Sequence, residues 1–253
     1  MQKLPVFLTL KHALNAAVHF RSAGIRIALP WTLALAAFGT LNLILFGAAD
    51  LASTGNEISI RPTDMIFDAL SMVAFSSIAV NWHRYILLDE VPTPERIFRL
   101  DLPVWKYIGR TLLILIAVIV PVIVVVVVVT AVNPNTRNLF SFPLFVAGVY
   151  FMRMSVALPA AALGRKDFGI KDALKTTEGN NWQFAGLFAL NILILLGAFL
   201  ALNLILAMVA NINLTAVKIC AVVLSIPANL FLVLFSVSLL SSLYGFFAEG
   251  RKF

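Results

Sequence analysis

The 253-residue chain is 61% hydrophobic and 12% charged, with a mean hydropathy of +0.96. Soluble domains are about half apolar and about a quarter charged, so this composition excludes a soluble globular protein and indicates an integral membrane protein. The net charge of +7 would suggest nucleic acid in a soluble chain, but positive loops that orient a membrane protein explain it here, and no nucleic-acid partner is expected.

Residues 1–26 read as an N-terminal interfacial segment. Val6, Leu10, Leu14 and Ala17 fall on one face at helical spacing, with Phe7 and Val18 beside them and Lys11, Asn15 and His19 elsewhere. Such a helix rests at the headgroups, its cations drawn to anionic lipid. A crossing helix needs about 20 apolar residues. Six runs qualify, near 27–49, 64–88, 111–132, 139–164, 182–210 and 217–247, followed by a tail at 248–253. The small residues GAAD (47–50) mimic a signal-peptidase site, but the first apolar run is too long for a signal sequence, so an uncleaved helix is expected. The third run contains VIVVVVVVT (122–130), which favours a strand in water. In lipid a lone strand leaves its backbone unpaired, and no alternating barrel pattern is present, so helix is expected. ANINLTAVK (210–218), with Asn211, Asn213 and Thr215, divides the last two spans. The single cysteine, Cys220, lies in an apolar run and makes no intrachain disulfide.

The fold expected is therefore all-α: a polytopic bundle of six transmembrane helices forming one integral membrane domain over 1–253, with the bundle at 27–247. Lysine and arginine orient it. With the N-terminus inside, the inner side holds Lys3, Lys11, Arg21 and Arg26, then Arg96, Arg99, Lys106 and Arg110, then Arg165, Lys166, Lys171 and Lys175, then Arg251 and Lys252. The outer side holds only Arg61, Arg137 and Lys218. Both termini are expected in the cytoplasm.

The inner segments resemble one another. LKHALNAAVHFRSAG (10–24) and IKDALKTTEGNNWQFAG (170–186) both begin apolar-Lys-x-Ala-Leu and end Ala-Gly, while RIFRLDLPVWKYIG (96–109) matches in character only. The pattern suggests three hairpins, each preceded by a cytoplasmic-side amphipathic helix; chance likeness between amphipathic segments is the competing explanation. Gly179 is placed to close the second of these helices in a left-handed conformation. In TPER (93–96), Thr93 reads as an N-cap with proline at the first helical position.

DALKTTEGNNWQFAGLFAL (172–190) resembles the segment before the fifth helix in a loose group of bacterial membrane proteins. NWHRYILLDE (81–90) and RMSVALPAAALG (153–164) resemble the ends of that group's second and fourth helices. The group includes uncharacterised six-helix inner-membrane proteins and the membrane domain attached to some glycerophosphodiester phosphodiesterases. The resemblance implies a six-helix fold in a bacterial inner membrane. It implies no catalytic residue, and phosphodiesterase activity is not carried over, because these 253 residues contain no soluble phosphodiesterase domain.

Three residues are candidates for binding an anion or lipid headgroup: Arg153, Arg84 and His83. Arg153 lies about 11 residues, or ~17 Å, from the inner end of span four, deep enough to require an inward-facing or wet environment. Pro159 offers no N–H to the carbonyl of Ser155, so an irregular backbone is expected nearby. No acid lies at that depth, because Asp64 and Asp68 are near the outer end of span two. The polar groups available are Asn42, Asn81, Asn191, Asn203, Asn229, Ser76 and Ser77. A structural arginine bonded to carbonyls and amides is the leading reading, and an anion site the second. In WHRY (82–85), Arg84 can snorkel while Trp82 and Tyr85 suit the interface, so an anchor is the simpler reading and an inner-leaflet anion site the other. His83 is the residue there that could titrate near neutral pH.

Enzymatic patterns are missing. There is no HExxH pair, G-x-S-x-G elbow or Walker A sequence, and His12 and His19 are better read as a polar stripe than as ligands. No catalytic residue, metal or cofactor is expected. The acids Asp89, Glu90 and Glu95 read as solvated charge. Ser238 and Ser242, with Ser241 and Gly245, have the small-xxx-small spacing that permits close helix approach. The function expected is non-enzymatic: membrane organisation, or binding of anionic lipid, a protein partner or a second copy of the chain. The alternative is a carrier of an anionic or lipid substrate, using Arg153, breaks at Pro121, Pro159 and Pro227, and a polar path of asparagines.

Overall fold

The computed structural model describes residues 3–52, 62–132, 141–210 and 214–252. Arg61, Arg137, Asn211 and Asn213 lie outside the described residues, as do the side chains of residues 47–50, Thr215 and Lys218. The described residues form helices α1 (Val6–His19), α2 (Arg21–Ala52), α3 (Pro62–Leu88), α4 (Leu102–Val132), α5 (Ser141–Ser155), α6 (Leu158–Ala162), α7 (Ile170–Thr176), α8 (Asn181–Ala210) and α9 (Leu214–Phe247). Among the described residues six spans are long and apolar enough to cross a membrane: α2, α3, α4, the α5–α6 pair, α8 and α9. The chain is an all-α multi-pass bundle. The valine run of α4 is helical throughout, as expected where only a helix satisfies its own backbone.

Several boundaries differ from the sequence reading. α2 begins at Arg21, so the N-terminal segment ends at Phe20 rather than residue 26. α4 begins at Leu102 rather than 111 and carries Lys106 and Arg110 on its first turns. The middle inner segment forms no separate amphipathic helix: it starts at the end of a 3₁₀ turn at Pro94–Arg96, with Thr93 giving no side-chain cap, and its residues 102–109 are the first turns of α4. Pro92 and Pro94 lack N–H groups, and this disfavours α-helix there. α7 does form, but its C-cap is Thr177, and Gly179, at φ 75°, lies in the turn beyond rather than closing the helix. Of the three prolines read as breaks, only Pro159 accompanies one, since α4 and α9 continue through Pro121 and Pro227.

Both termini lie at one end of the bundle, here called the basic end. Lys3 Nζ donates to Gly179 O (2.7 Å), and the Leu4 amide donates to Asn180 Oδ1 (2.9 Å). α1 docks along α9, burying Thr9, Ala13 and Ala17 at four-residue spacing. Its apolar residues Phe7, Leu14 and Val18 remain exposed, as for a helix resting on lipid.

α9 is the axis, touching α1, α2, α3, α6 and α8. Its serines serve as polar contacts as well as small packing residues. Ser238 accepts from Trp82 Nε1 (2.9 Å), Ser241 bonds His83 Nδ1 (2.8 Å) and Ser242 bonds His12 Nδ1 (2.9 Å). One core collects Trp31, Ile78, Trp82, Ile108 and Leu234; a second collects Phe184, Leu187, Leu239, Leu243 and Phe246. Away from the basic end the helices are apolar and exposed, and the most apolar stretch of α8 buries no residue. Lipid is the solvent that suits that surface.

Gly24 marks a close approach of α2 to α9 and α3. A Cβ there would lie 2.5 Å from Leu234 Cδ1 and 3.1 Å from Trp82 Cζ3. Gly24→Val is expected to destabilise the protein by ~1–3 kcal/mol through overpacking, read as a lower melting temperature in detergent, and Gly24→Ala by less. Equal melting temperatures for all three proteins would show that the helices do not meet there.

Candidate functional site

The three sequence candidates do not form one site. Arg153 occupies the last turn of α5, which ends two residues later, rather than the middle of one continuous span. Its guanidinium donates to Thr177 Oγ1 (3.0 Å), Asn181 Oδ1 (2.7 Å) and the Leu174 carbonyl (2.9 Å), and lies 5.4 Å from the Tyr150 ring centroid. None of the asparagines and serines considered from sequence is a partner. The residue is buried, 6% exposed, and its partners all come from α7 and the start of α8. An arginine at a helix C-terminus also meets the negative end of the helix dipole.

Arg84 donates Nε to Glu90 Oε2 (2.7 Å) and Nη1 to the Ala162 carbonyl (3.3 Å). His83 is fully buried, its ring 5.8 Å from that of Tyr107. Because Ser241 Oγ donates back to Val237 O (3.0 Å), His83 Nδ1 is the donor in their bond. Trp82, expected at the interface, is a core residue with no exposure; Trp105 and Trp182 are the exposed tryptophans at that end.

The α5–α6 break explains where the arginines go. The chain turns at Val156 and Ala157 through i→i+3 bonds to Arg153 O (3.4 Å) and Met154 O (3.0 Å). α6 then closes in a Schellman motif, Arg165 N to Ala160 O (2.9 Å) and Gly164 N to Ala161 O (3.1 Å), with Gly164 at φ 76°. Cations reach the carbonyls around this break. Arg110 Nη1 donates to Ala157 O (2.7 Å) and Phe168 O (3.0 Å), and Arg84 takes Ala162 O.

The acidic loop is engaged as well. Glu90, read as solvated, receives Arg84, Arg96 (2.8 Å) and Arg99 (3.0 Å), and Arg99 also pairs with Asp101 (3.1 Å). The asparagines form no common path. Asn81 donates to Arg96 O (2.9 Å), Asn42 to Asp64 (3.3 Å), and Asn203 and Asn229 to carbonyls of their own helices. Only Asn191 lines a central cavity, which Arg153 does not reach.

Sequence reasoning missed a basic groove at the same end. It is lined by Lys106, Gly109, Arg110 and Leu113 of α4 and by Ala161, Gly164, Arg165 and Lys166, and encloses about 430 Å³. Arg110 and Arg165 are partly committed, Arg165 to Tyr244 Oη (3.0 Å) and Glu249 (3.3 Å). Lys106 and Lys166 have no hydrogen-bond or ion-pair partner among the described residues. Both glycines leave open space where a Cβ would stand. Beyond Leu113 the wall continues along the exposed face of α4, through Ile116. The available signal was the i, i+4 pair Lys106 and Arg110 opposite consecutive cations 165–166, read from sequence only as orienting charge. Among the described residues no group of three His, Cys, Asp or Glu is placed to hold a metal.

Comparison with protein families, characterised proteins and solved structures finds no match.

Glu90 yields a pH test. Burial alone would raise its pKa, but hydrogen bonds and charge from Arg84 and Arg99 outweigh it and bring the carboxyl from an ordinary 4.5 down to about 2. A depressed folded-state pKa stabilises the fold above 4.5, and that contribution disappears as pH falls towards about 2. Glu90→Gln is expected to melt lower than wild type at neutral pH, with the gap closing between those values. A gap that stays constant down to pH 2 would show that the cluster does not couple to folding.

Proposed function

We propose that the protein is a non-enzymatic inner-membrane protein, both termini cytoplasmic, that binds anionic phospholipid at its basic end. The observation that carries this is the groove of Lys106, Arg110, Arg165 and Lys166, whose two lysines have no partner among the described residues and which opens onto the lipid-exposed face of α4. A phosphate seated between the lysines would compensate charge the protein leaves uncompensated, and its acyl chains would run along Leu113 and Ile116. Lysine suits a phosphate as a compact point charge. The lipid-facing wall favours a phospholipid over a free anion. The bacterial inner membrane follows from the resemblance of residues 81–90, 153–164 and 172–190 to the six-helix group.

This reading moves the ligand away from Arg153, Arg84 and His83. Arg153 and Arg84 spend donors on backbone carbonyls and neighbouring side chains, and His83 is sealed against Ser241. The carrier reading required Arg153 to face a cavity, and no contact of its guanidinium supports that.

Native mass spectrometry of protein released from nanodiscs containing phosphatidylglycerol and phosphatidylcholine tests the proposal. Wild type is expected to retain phosphatidylglycerol, and Lys106→Gln/Lys166→Gln to lose most of it at an unchanged melting temperature. Equal retention by both proteins would contradict it.

A further inference from the structure

The central cavity has a different chemistry from the groove. It encloses about 540 Å³ where α3, α4, α5–α6, α8 and α9 meet, within the ~300–1,000 Å³ of ordinary small-molecule sites. Its walls are apolar apart from a few uncharged polar groups: Ser76, Tyr107, Thr111, Ser155, Asn191 and Ser236. No charged side chain lines it. Two of these groups are buried without a partner, Ser155 Oγ and Asn191 Oδ1. Ser155 is 1% exposed and sits where α5 breaks, so it is held by the same turn that positions Arg153. A buried polar group without a partner costs about 1–3 kcal/mol.

We infer that this cavity is a binding site for an uncharged lipid alcohol, a long apolar chain bearing one free hydroxyl. The wall excludes an ionised headgroup, because a charge there would be desolvated with no counter-charge. It also fits a pure hydrocarbon poorly, because the serine and the amide would stay unsatisfied. A hydroxyl both donates and accepts, so it can pair with either the Asn191 amide or the Ser155 hydroxyl, whichever role that group offers. The chain then occupies the apolar part of the cavity, beside Phe188. This inference does not rest on the basic groove, since the two sites share no lining residue.

Photolabelling in nanodiscs tests it, with a diazirine-bearing hexadecanol as probe, hexadecanol and hexadecyl methyl ether as competitors, and peptide mass spectrometry as readout. Wild type is expected to label saturably within residues 72–79 and 151–158, with hexadecanol competing at least tenfold better than the ether. Ser155→Ala/Asn191→Leu is expected to weaken labelling tenfold or more. Ser236→Leu, at an exposed rim position, should block it sterically without disturbing the core, and Lys106→Gln/Lys166→Gln should leave it unchanged. Labelling spread along all lipid-facing helices would overturn the inference. Equal competition by the ether, or no response to the Ser155/Asn191 change in a protein that melts like wild type, would also overturn it.

Discussion

Backbone carbonyls that lose their helical partner must find another donor, and inside a membrane water is not there to supply it. The fourth span faces this problem at the α5–α6 break, and residues 163–180 beyond it leave further carbonyls open at the basic end. Guanidinium groups from three helices supply donors: Arg84 to Ala162, Arg110 to Phe168 and, as a second donor, to Ala157 at the start of α6, and Arg153 to Leu174. Arginine fits the task because it offers five donors and stays charged, and a cation near a helix C-terminus gains from the dipole. The rest of the basic end depends on this arrangement. It holds α7 against α5, sets Asn180 where the chain start can bond it, and leaves Lys106 and Lys166 over as the groove's uncommitted charges.

The same break gives the two candidate sites their separate character. On the basic side, Gly164 and the 165–166 cations shape a charged groove; on the apolar side, Ser155 faces a neutral cavity. α9 ties both to the remaining bundle through Ser238, Ser241 and Ser242, which accept or share hydrogen bonds with Trp82, His83 and His12. Deep polar residues that look like a pathway in sequence are therefore mostly internal fasteners.

The six crossings were legible because apolar length is a one-dimensional property, and even the valine run resolves once lipid is recognised as the solvent. Helix ends were less so. α2 and α4 extend six and nine residues towards the basic end, because charged residues on a first turn are tolerated where they reach the headgroups. The partners of Arg153 were not legible for a more basic reason. One is a carbonyl, which carries no sequence identity, and Thr177 and Asn181 come near only because the helix breaks at Ser155. Trp82 was misplaced because a tryptophan beside an arginine fits an interfacial anchor equally well until Ser238 is seen to take its N–H.

The central claim is that arginines hold an irregular backbone in place, and amide hydrogen exchange over residues 156–180 in lipid nanodiscs tests it most directly. Wild-type amides there are expected to be protected, and Arg153→Gln to speed their exchange by about 30-fold, the equivalent of ~2 kcal/mol, while α4 keeps its wild-type rates. Exchange over 156–180 that is already fast in wild type, or unchanged by the substitution, would contradict the account.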